Sequence, residues 1–281
     1  MVSTPLYSAP LFFLLVFVLV FFTTYTLWGD HPRHRKPNDA DLSVPRILWT
    51  YLSKETPTPR QALCIETWRT HHPAPAWRIH VLTPQTVHGY LHGLPDLHYQ
   101  APLLRDPDRW EETVALHALT EHGGIWLHPH TYLRRALDES LVTNKKEVFA
   151  FSYRTSANKD GKDNPPVLSP RLLASPKKLP FLENWKAEYM RLLAFPSVEA
   201  YTQSLPMEVL SLPSNQTLPT EWVMALALQH SLLQHPYPME SVHLRSVENG
   251  PLRHLYEARG DPKKAEAFAL HPASTEPIVF L

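Results

Sequence analysis

Three scarcities narrow what this chain can be. It has one cysteine, Cys64, among 281 residues, so no disulfide can form within it and no cysteine-based zinc site can be built. It has 8 glycines against 29 prolines, which makes for stiff connections and few flexible ones. It has no excess of either charge, because Lys plus Arg and Asp plus Glu both number 27. Nucleic-acid affinity rests on clustered positive charge, so no nucleic-acid partner is expected. What is abundant is moderate: 43% hydrophobic residues is too much for a disordered chain and too little for a multi-span membrane protein. The 17 histidines stand out.

The longest apolar run lies near the N-terminus. Every residue from Leu11 to Phe22 is apolar, and no charge appears before Asp30. As a helix, residues 11–28 would span roughly 27 Å, close to a bilayer's hydrocarbon thickness, with Tyr25 and Trp28 suited to the headgroup boundary. A cleaved signal peptide is the rival reading, but no basic stretch precedes the run and no small-x-small site follows it. The expected organisation is a short tail (1–10), a transmembrane anchor (11–28), a polar, proline-containing stem (29–43) and one domain (44–281). Orientation stays open. Arg33, Arg35 and Lys36 after the anchor favour a cytosolic domain, whereas the sequon Asn215-Gln216-Thr217 would be glycosylated only in a lumen.

Within the domain, strand and helix signals alternate. The apolar run Val44–Thr50 reads as a strand. Pro59–Thr70 has helical spacing, with Ala62, Ile65 and Trp68 on one side. Trp77–Leu82 alternates as a strand, and Thr83-Pro84 predicts a helix to Leu91 with Thr83 as its cap. Trp110–Glu121 is the strongest helix, ended by Gly123-Gly124, with Asp106 and Asp108 placed to cap it or to lend a carboxylate to a site. Ile125–Leu127 and Val148–Tyr153 read as buried strands, Lys159–Pro180 as a mobile surface loop, and the chain beyond Pro180 as helical. This pattern predicts an α/β architecture with a largely parallel sheet. Ligands are then expected beyond the carboxyl ends of the strands at Ile47–Trp49 and Ile125–Leu127.

The ordered segments Val44-Pro45-Arg46-Ile47-Leu48-Trp49, Cys64-Ile65-Glu66-Thr67-Trp68-Arg69, Trp77-Arg78-Ile79, Leu116 through Leu127 with its Gly-Gly-Ile-Trp-Leu core, and Leu182-Glu183-Asn184-Trp185 resemble the capsular polysaccharide synthesis family. That family is similar to glycosyltransferases carrying the sugar-binding Asp-x-Asp motif. The resemblance covers most of residues 44–260. It implies a GT-A-like (Rossmann-like) nucleotide-sugar-binding sheet with a helical C-terminal part. It also implies a hexosyltransferase, often retaining, that uses a nucleotide-diphosphate sugar donor and a glycan or glycolipid acceptor at a Golgi or other secretory-pathway membrane. By the same resemblance Trp49 would stack on the base, Glu112 would contact the donor sugar or ribose, and Glu183 and Asn184 would belong to the donor or acceptor site.

The chain departs from the family at two places. His128-Pro129-His130 stands where the metal-binding carboxylates are expected, and Ala115 stands near an expected Arg. Side chains at i and i+2 of an extended segment share a face, so both imidazoles could reach one ion. Resemblance implies manganese, ligand type favours zinc, and a metal-independent site is the third option. In that case protonated histidine or arginine, with Arg134 and Arg135 nearest in sequence, would stabilise the diphosphate. Two functional readings follow: an active transferase, or a catalytically inactive glycosyltransferase-like binding or scaffold domain.

Overall fold

The computed structural model describes residues 43–95, 102–137, 148–153, 167–205, 222–247, 250–251, 264, 267, 270–271 and 277–281. The expected anchor, most of the stem and the sequon at Asn215 lie outside the described residues. Among the described residues no helix is long and apolar enough to cross a membrane.

The elements in chain order are β1 (Ile47–Tyr51), α1 (Pro59–His71), β2 (Arg78–Leu82), α2 (Val87–Tyr90), α3 (Pro107–His122), β3 (Gly124–Leu127), β4 (Thr131–Leu133), β5 (Val148–Tyr153), β6 (Val167–Ser175), α4 (Pro180–Leu193), α5 (Val198–Gln203), α6 (Trp222–Gln234), β7 (Val242–Ser246) and β8 (Ile278–Phe280). Six strands form a central sheet in the order β2-β1-β3-β6-β5-β7, while β4 and β8 pair separately. The sheet is mixed rather than largely parallel. β2, β1 and β3 run parallel, β6 is antiparallel to both β3 and β5, and β7 is parallel to β5.

Period-two alternation sorts side chains onto the two faces of the sheet. Ile47, Trp49 and Tyr51 of β1 join the larger core with α3, α4 and α6. Leu48 and Leu52 join a second core with Cys64, Ile65 and Trp68 of α1 and Phe280 of β8. The sheet is thus covered on both faces. Helix α1 starts at a capping box in which Thr58 accepts from the Gln61 amide and the Gln61 side chain accepts from the Thr58 amide. Its inner face is Cys64, Ile65 and Trp68, while Ala62 is exposed.

Three other expectations are corrected. The segment Thr83–Thr86 is a turn, closed by the Thr83 amide on Thr86 Oγ1 and the Thr86 amide on the Thr83 carbonyl. Helix α2 therefore begins only at Val87. The chain after Pro180 is helical only in part, because β7 and β8 complete the two sheets. The proline-rich stretch read as a loop contains β6, which lies at the centre of the sheet. Proline cannot donate to a ladder and is tolerated in strands at irregularities, and β6 has one. Its pairing to β5 steps from Ser152↔Leu168 to Ala150↔Leu173. Two residues on β5 are matched by five on β6, and the extra length carries Pro170 and Arg171.

Candidate functional site

The helix before the double glycine delivers three carboxyl groups to one place. Asp106 caps α3, its carboxylate accepting from the Asp108 amide at 3.0 Å, and Pro107 occupies the first turn. Asp108, Glu111 and Glu112 stand at i, i+3 and i+4, so they share a helical face. At the other end Gly123 leaves the helix with φ 67°, and Gly124 follows with φ 108°. A Cβ on Gly124 would lie 2.6 Å from the Ile47 carbonyl oxygen, so only glycine lets β3 approach β1 this closely.

A cavity of about 140 Å³ opens beyond the carboxyl end of β3, lined by Asp108, Glu111, Glu112, Trp126, His128 and Arg171, with Pro170 at its edge. The β3–β6 ladder fixes how its walls meet. The His128 amide donates to the Arg171 carbonyl at 2.8 Å, one step past the Leu127↔Leu172 pair. The bulge in β6 thus delivers a guanidinium opposite the acidic face of α3. Bulges commonly re-aim side chains beside sites in this way.

Burial dominates the electrostatics. The Glu111 carboxyl is pushed up to about 8, first by desolvation and then by Asp108 and Glu112, with Arg171 opposing. Glu112 is also raised to about 8 by desolvation, against the hydrogen bond from Tyr189 and the charge of Arg109. Both lie near the positive end of the α3 dipole, but that effect is worth only ~0.3–1 kcal/mol at an exposed terminus. It loses to desolvation here. His128 is pushed the other way, down to about 3, by burial and then by Arg171 and His130. It is therefore neutral at physiological pH and cannot supply the positive charge that a protonated histidine would have offered.

The two histidines expected as metal ligands are each engaged by neighbouring groups. His128 Nδ1 accepts from the His130 amide at 3.3 Å, and its Nε2 lies 3.7 Å from Glu111 Oε1. The His130 Nε2 atom lies 3.5 Å from Gln61 Nε2, and His130 is not part of the cavity lining. The rings are 5.4 Å apart and tilted. Among the described residues no group of three or more His, Cys, Asp or Glu side chains is arranged to hold a metal ion.

Of the other expected site residues, Asp108 and Glu112 line the cavity. Trp49 is 2% exposed, and its Nε1 donates to the Gly123 carbonyl at 2.9 Å. His80 and His122 stack on the ring at centroid distances of 4.5 and 5.3 Å. The ring expected to stack on a base is thus packed in the larger core and does not line the cavity. Arg134 sits on the β4 side, where its Nη1 donates to the His271 carbonyl at 2.7 Å. Arg135 is exposed. Glu183 is exposed in the first turn of α4 and Asn184 is half-buried beside it, both outside the cavity lining. Ala115 is fully buried in the larger core.

The sequence held few signals for Arg171 and Tyr189. Arg171 lies in a stretch whose Ser and Pro content reads as loop. The only available signal was the apolar run Leu172-Leu173-Ala174 immediately after it. Tyr189 was hidden because only the packing of α4 against α3 brings its hydroxyl to Glu112.

No known protein family matches this sequence, and no curated protein matches it. Two solved structures give partial overlays. One, described as PaToxG glycosyltransferase, overlays at a TM-score of 0.33 and 14% identity, covering 71% of this chain and 92% of its own. The other is a glycosyltransferase involved in the glycosylation of the major capsid of PBCV-1. It overlays at a TM-score of 0.40 and 11% identity, covering 84% of this chain and 93% of its own. Both fall short of the agreement at which such a likeness carries an argument.

Proposed function

We propose that the domain is a metal-independent glycosyltransferase that takes a hexose from a nucleotide-diphosphate sugar, with Arg171 rather than a cation bound at His128-Pro129-His130 meeting the diphosphate. The observation that carries this reading is the cavity itself. It sits where an α/β sheet is expected to bind a ligand, and it sets Arg171 opposite Glu111 and Glu112. A volume of about 140 Å³ is below the ~300–1,000 Å³ of pockets for drug-sized ligands, so it houses one moiety of the donor, the sugar with its adjoining phosphate.

In the reaction the bond from the anomeric carbon to the diphosphate oxygen breaks, and a bond from that carbon to an acceptor hydroxyl oxygen forms. The electron pair leaves on the diphosphate, and stabilising that charge is the main catalytic demand. Arg171 meets it as a permanently charged fork suited to phosphate oxygens. With Glu111 and Glu112 raised to about 8, the wall facing the diphosphate carries less negative charge than its sequence implies. The deprotonated fraction of Glu111, which grows as pH rises through about 8, takes the acceptor proton. Glu112, held by Tyr189 and Arg109, orients the sugar hydroxyls. The acceptor is a glycan or glycolipid, and the apolar run Leu11–Phe22 would tether the domain to a secretory-pathway membrane, as in Golgi transferases.

Calorimetric titration with UDP and GDP, in the presence of EDTA and then of manganese or zinc, tests the reading. Binding that survives EDTA and falls by about tenfold or more in Arg171→Ala, the loss of one charge-assisted contact, is the expected result. The second reading, a catalytically inactive binding domain, is favoured by the small cavity and the internally engaged His128. It gains the field if the folded domain binds neither nucleotide under any of these conditions.

A further inference from the structure

A second cavity lies away from the sheet, among α4, α5 and α6. Its volume is about 450 Å³, and it is lined by Glu188, Arg191, Ser204, His230, Gln234 and His235. Every one of the six is polar, although α4 and α6 pack elsewhere through buried apolar faces. His230 and the half-buried Glu188 form its inner part, while Arg191, Ser204, Gln234 and His235 are exposed at its mouth.

The lining is organised around one carboxylate. Glu188 Oε1 accepts from the Tyr201 hydroxyl at 2.6 Å and from Arg191 Nη1 at 2.9 Å, and it lies 2.8 Å from His230 Nδ1. That last contact is close in distance but poorly aligned, since His230 Nδ1 is buried without a hydrogen-bond partner. The three contacts fall on the same oxygen, which leaves Oε2 as an acceptor. His230 is itself 4% exposed, and its Nε2 lies 3.5 Å from Gln234 Nε2. The Arg191 guanidinium is further steadied over the rings of Phe195 and Tyr201 at 5.9 Å from each. Groups held from behind in this way lose little rotamer freedom when a ligand arrives.

The mixture of groups selects the ligand. Arg191 supplies forked donors, Gln234 an amide of both kinds, Ser204 a hydroxyl, and Glu188 acceptor capacity together with a negative charge at the wall. A phosphate or free carboxylate would have to settle beside that charge. A neutral polyol, each hydroxyl of which both donates and accepts, finds partners on every side. We infer that the cavity among α4, α5 and α6 is a carbohydrate-binding site for a neutral oligosaccharide end, and that it holds the acceptor glycan. The carbohydrate class stands on this lining alone, while the acceptor role rests on the transferase reading above.

Saturation-transfer NMR on the full chain, using lactose, maltose, cellobiose and a mannobiose as probes, tests it. At least one disaccharide should receive saturation from the protein. Arg191→Ala and Gln234→Ala, both at exposed positions, should weaken that binding by about tenfold or more with the circular dichroism spectrum unchanged. Arg171→Ala should leave it intact. Absence of transfer to every disaccharide overturns the inference. So does disaccharide binding that both exposed variants preserve, or displacement of the bound sugar by millimolar inorganic phosphate. Nucleotide titration on the same samples separates the two proposals. Sugar binding without nucleotide binding removes the acceptor role and keeps the carbohydrate site.

Discussion

Tyr189 of α4 donates its hydroxyl hydrogen to Glu112 of α3, joining two helices at the floor of the first cavity. Arg109 stands 3.6 Å from the same carboxyl, so one buried acidic group is held by two neighbours on different elements. The arrangement makes Glu112 a fixed wall, whereas Glu111, one residue earlier, lies 3.7 Å from His128 Nε2 and faces the charge of Arg171.

Removing the tether should be costly. Tyr189→Phe keeps the ring and leaves a buried carboxyl short of a donor, a loss of about 1–3 kcal/mol in unfolding free energy. Urea denaturation measures it. An unchanged midpoint would mean that Glu112 finds another donor in the folded state.

The two raised carboxyls set a pH dependence. Each has a folded value of about 8 against 4.5 when unperturbed, so the folded state keeps protons that the unfolded chain releases. Their contribution to stability is complete below pH 4.5 and is lost as pH rises through 8. The lowered His128 acts oppositely, because its contribution is complete above 6.5 and is lost as pH falls toward 3. Thermal melts of Glu112→Gln should therefore show a shallower decline than the parent between pH 6.5 and 8. Parallel curves in that window would contradict the burial argument.

Trp49→Phe separates core packing from ligand stacking. The substitution removes the indole N–H and strands the Gly123 carbonyl, at a cost of about 1–3 kcal/mol. Nucleotide affinity measured below the melting transition should stay within about twofold of the parent, less than 0.5 kcal/mol. A selective collapse of affinity would restore the stacking role.

Gly124→Ala should destabilise the domain by at least about 2 kcal/mol, since a Cβ there combines a strained backbone with a clash. The clash is with the Ile47 carbonyl, 2.6 Å away. Gly89→Ala is the control, because nothing lies within 4 Å of its added carbon.

The first half of the domain was readable because its signals are local. The helical spacing of Ile65 and Trp68 after Pro59 announces α1, Gly123 ends α3, and the apolar run at β1 alternates between two cores. The carboxyls of α3 were readable for the same reason, since helical spacing alone gathers them. The sheet's direction was not readable, because whether β6 runs with or against β3 depends on partners far away in sequence. Nor was the irregularity that delivers Arg171, whose local composition says loop. Trp49 stands at a strand's carboxyl end, as expected of a site residue, but does not line the cavity. Alternation turns it toward α3 and into the core, beside His80 and His122.

The irregular stretch around Pro170 has one more consequence. Sheets ordinarily fray from their edges, where amides lack neighbours on one side. Here β6 is a central strand with a proline that has no amide to offer and a step in its pairing to β5. Hydrogen exchange should accordingly report an inverted order, in which amides on either side of Pro170 exchange faster than those of Leu172–Ala174 on the same strand. The weakest seam of the sheet then runs through its middle, along the wall of the cavity that Arg171 faces.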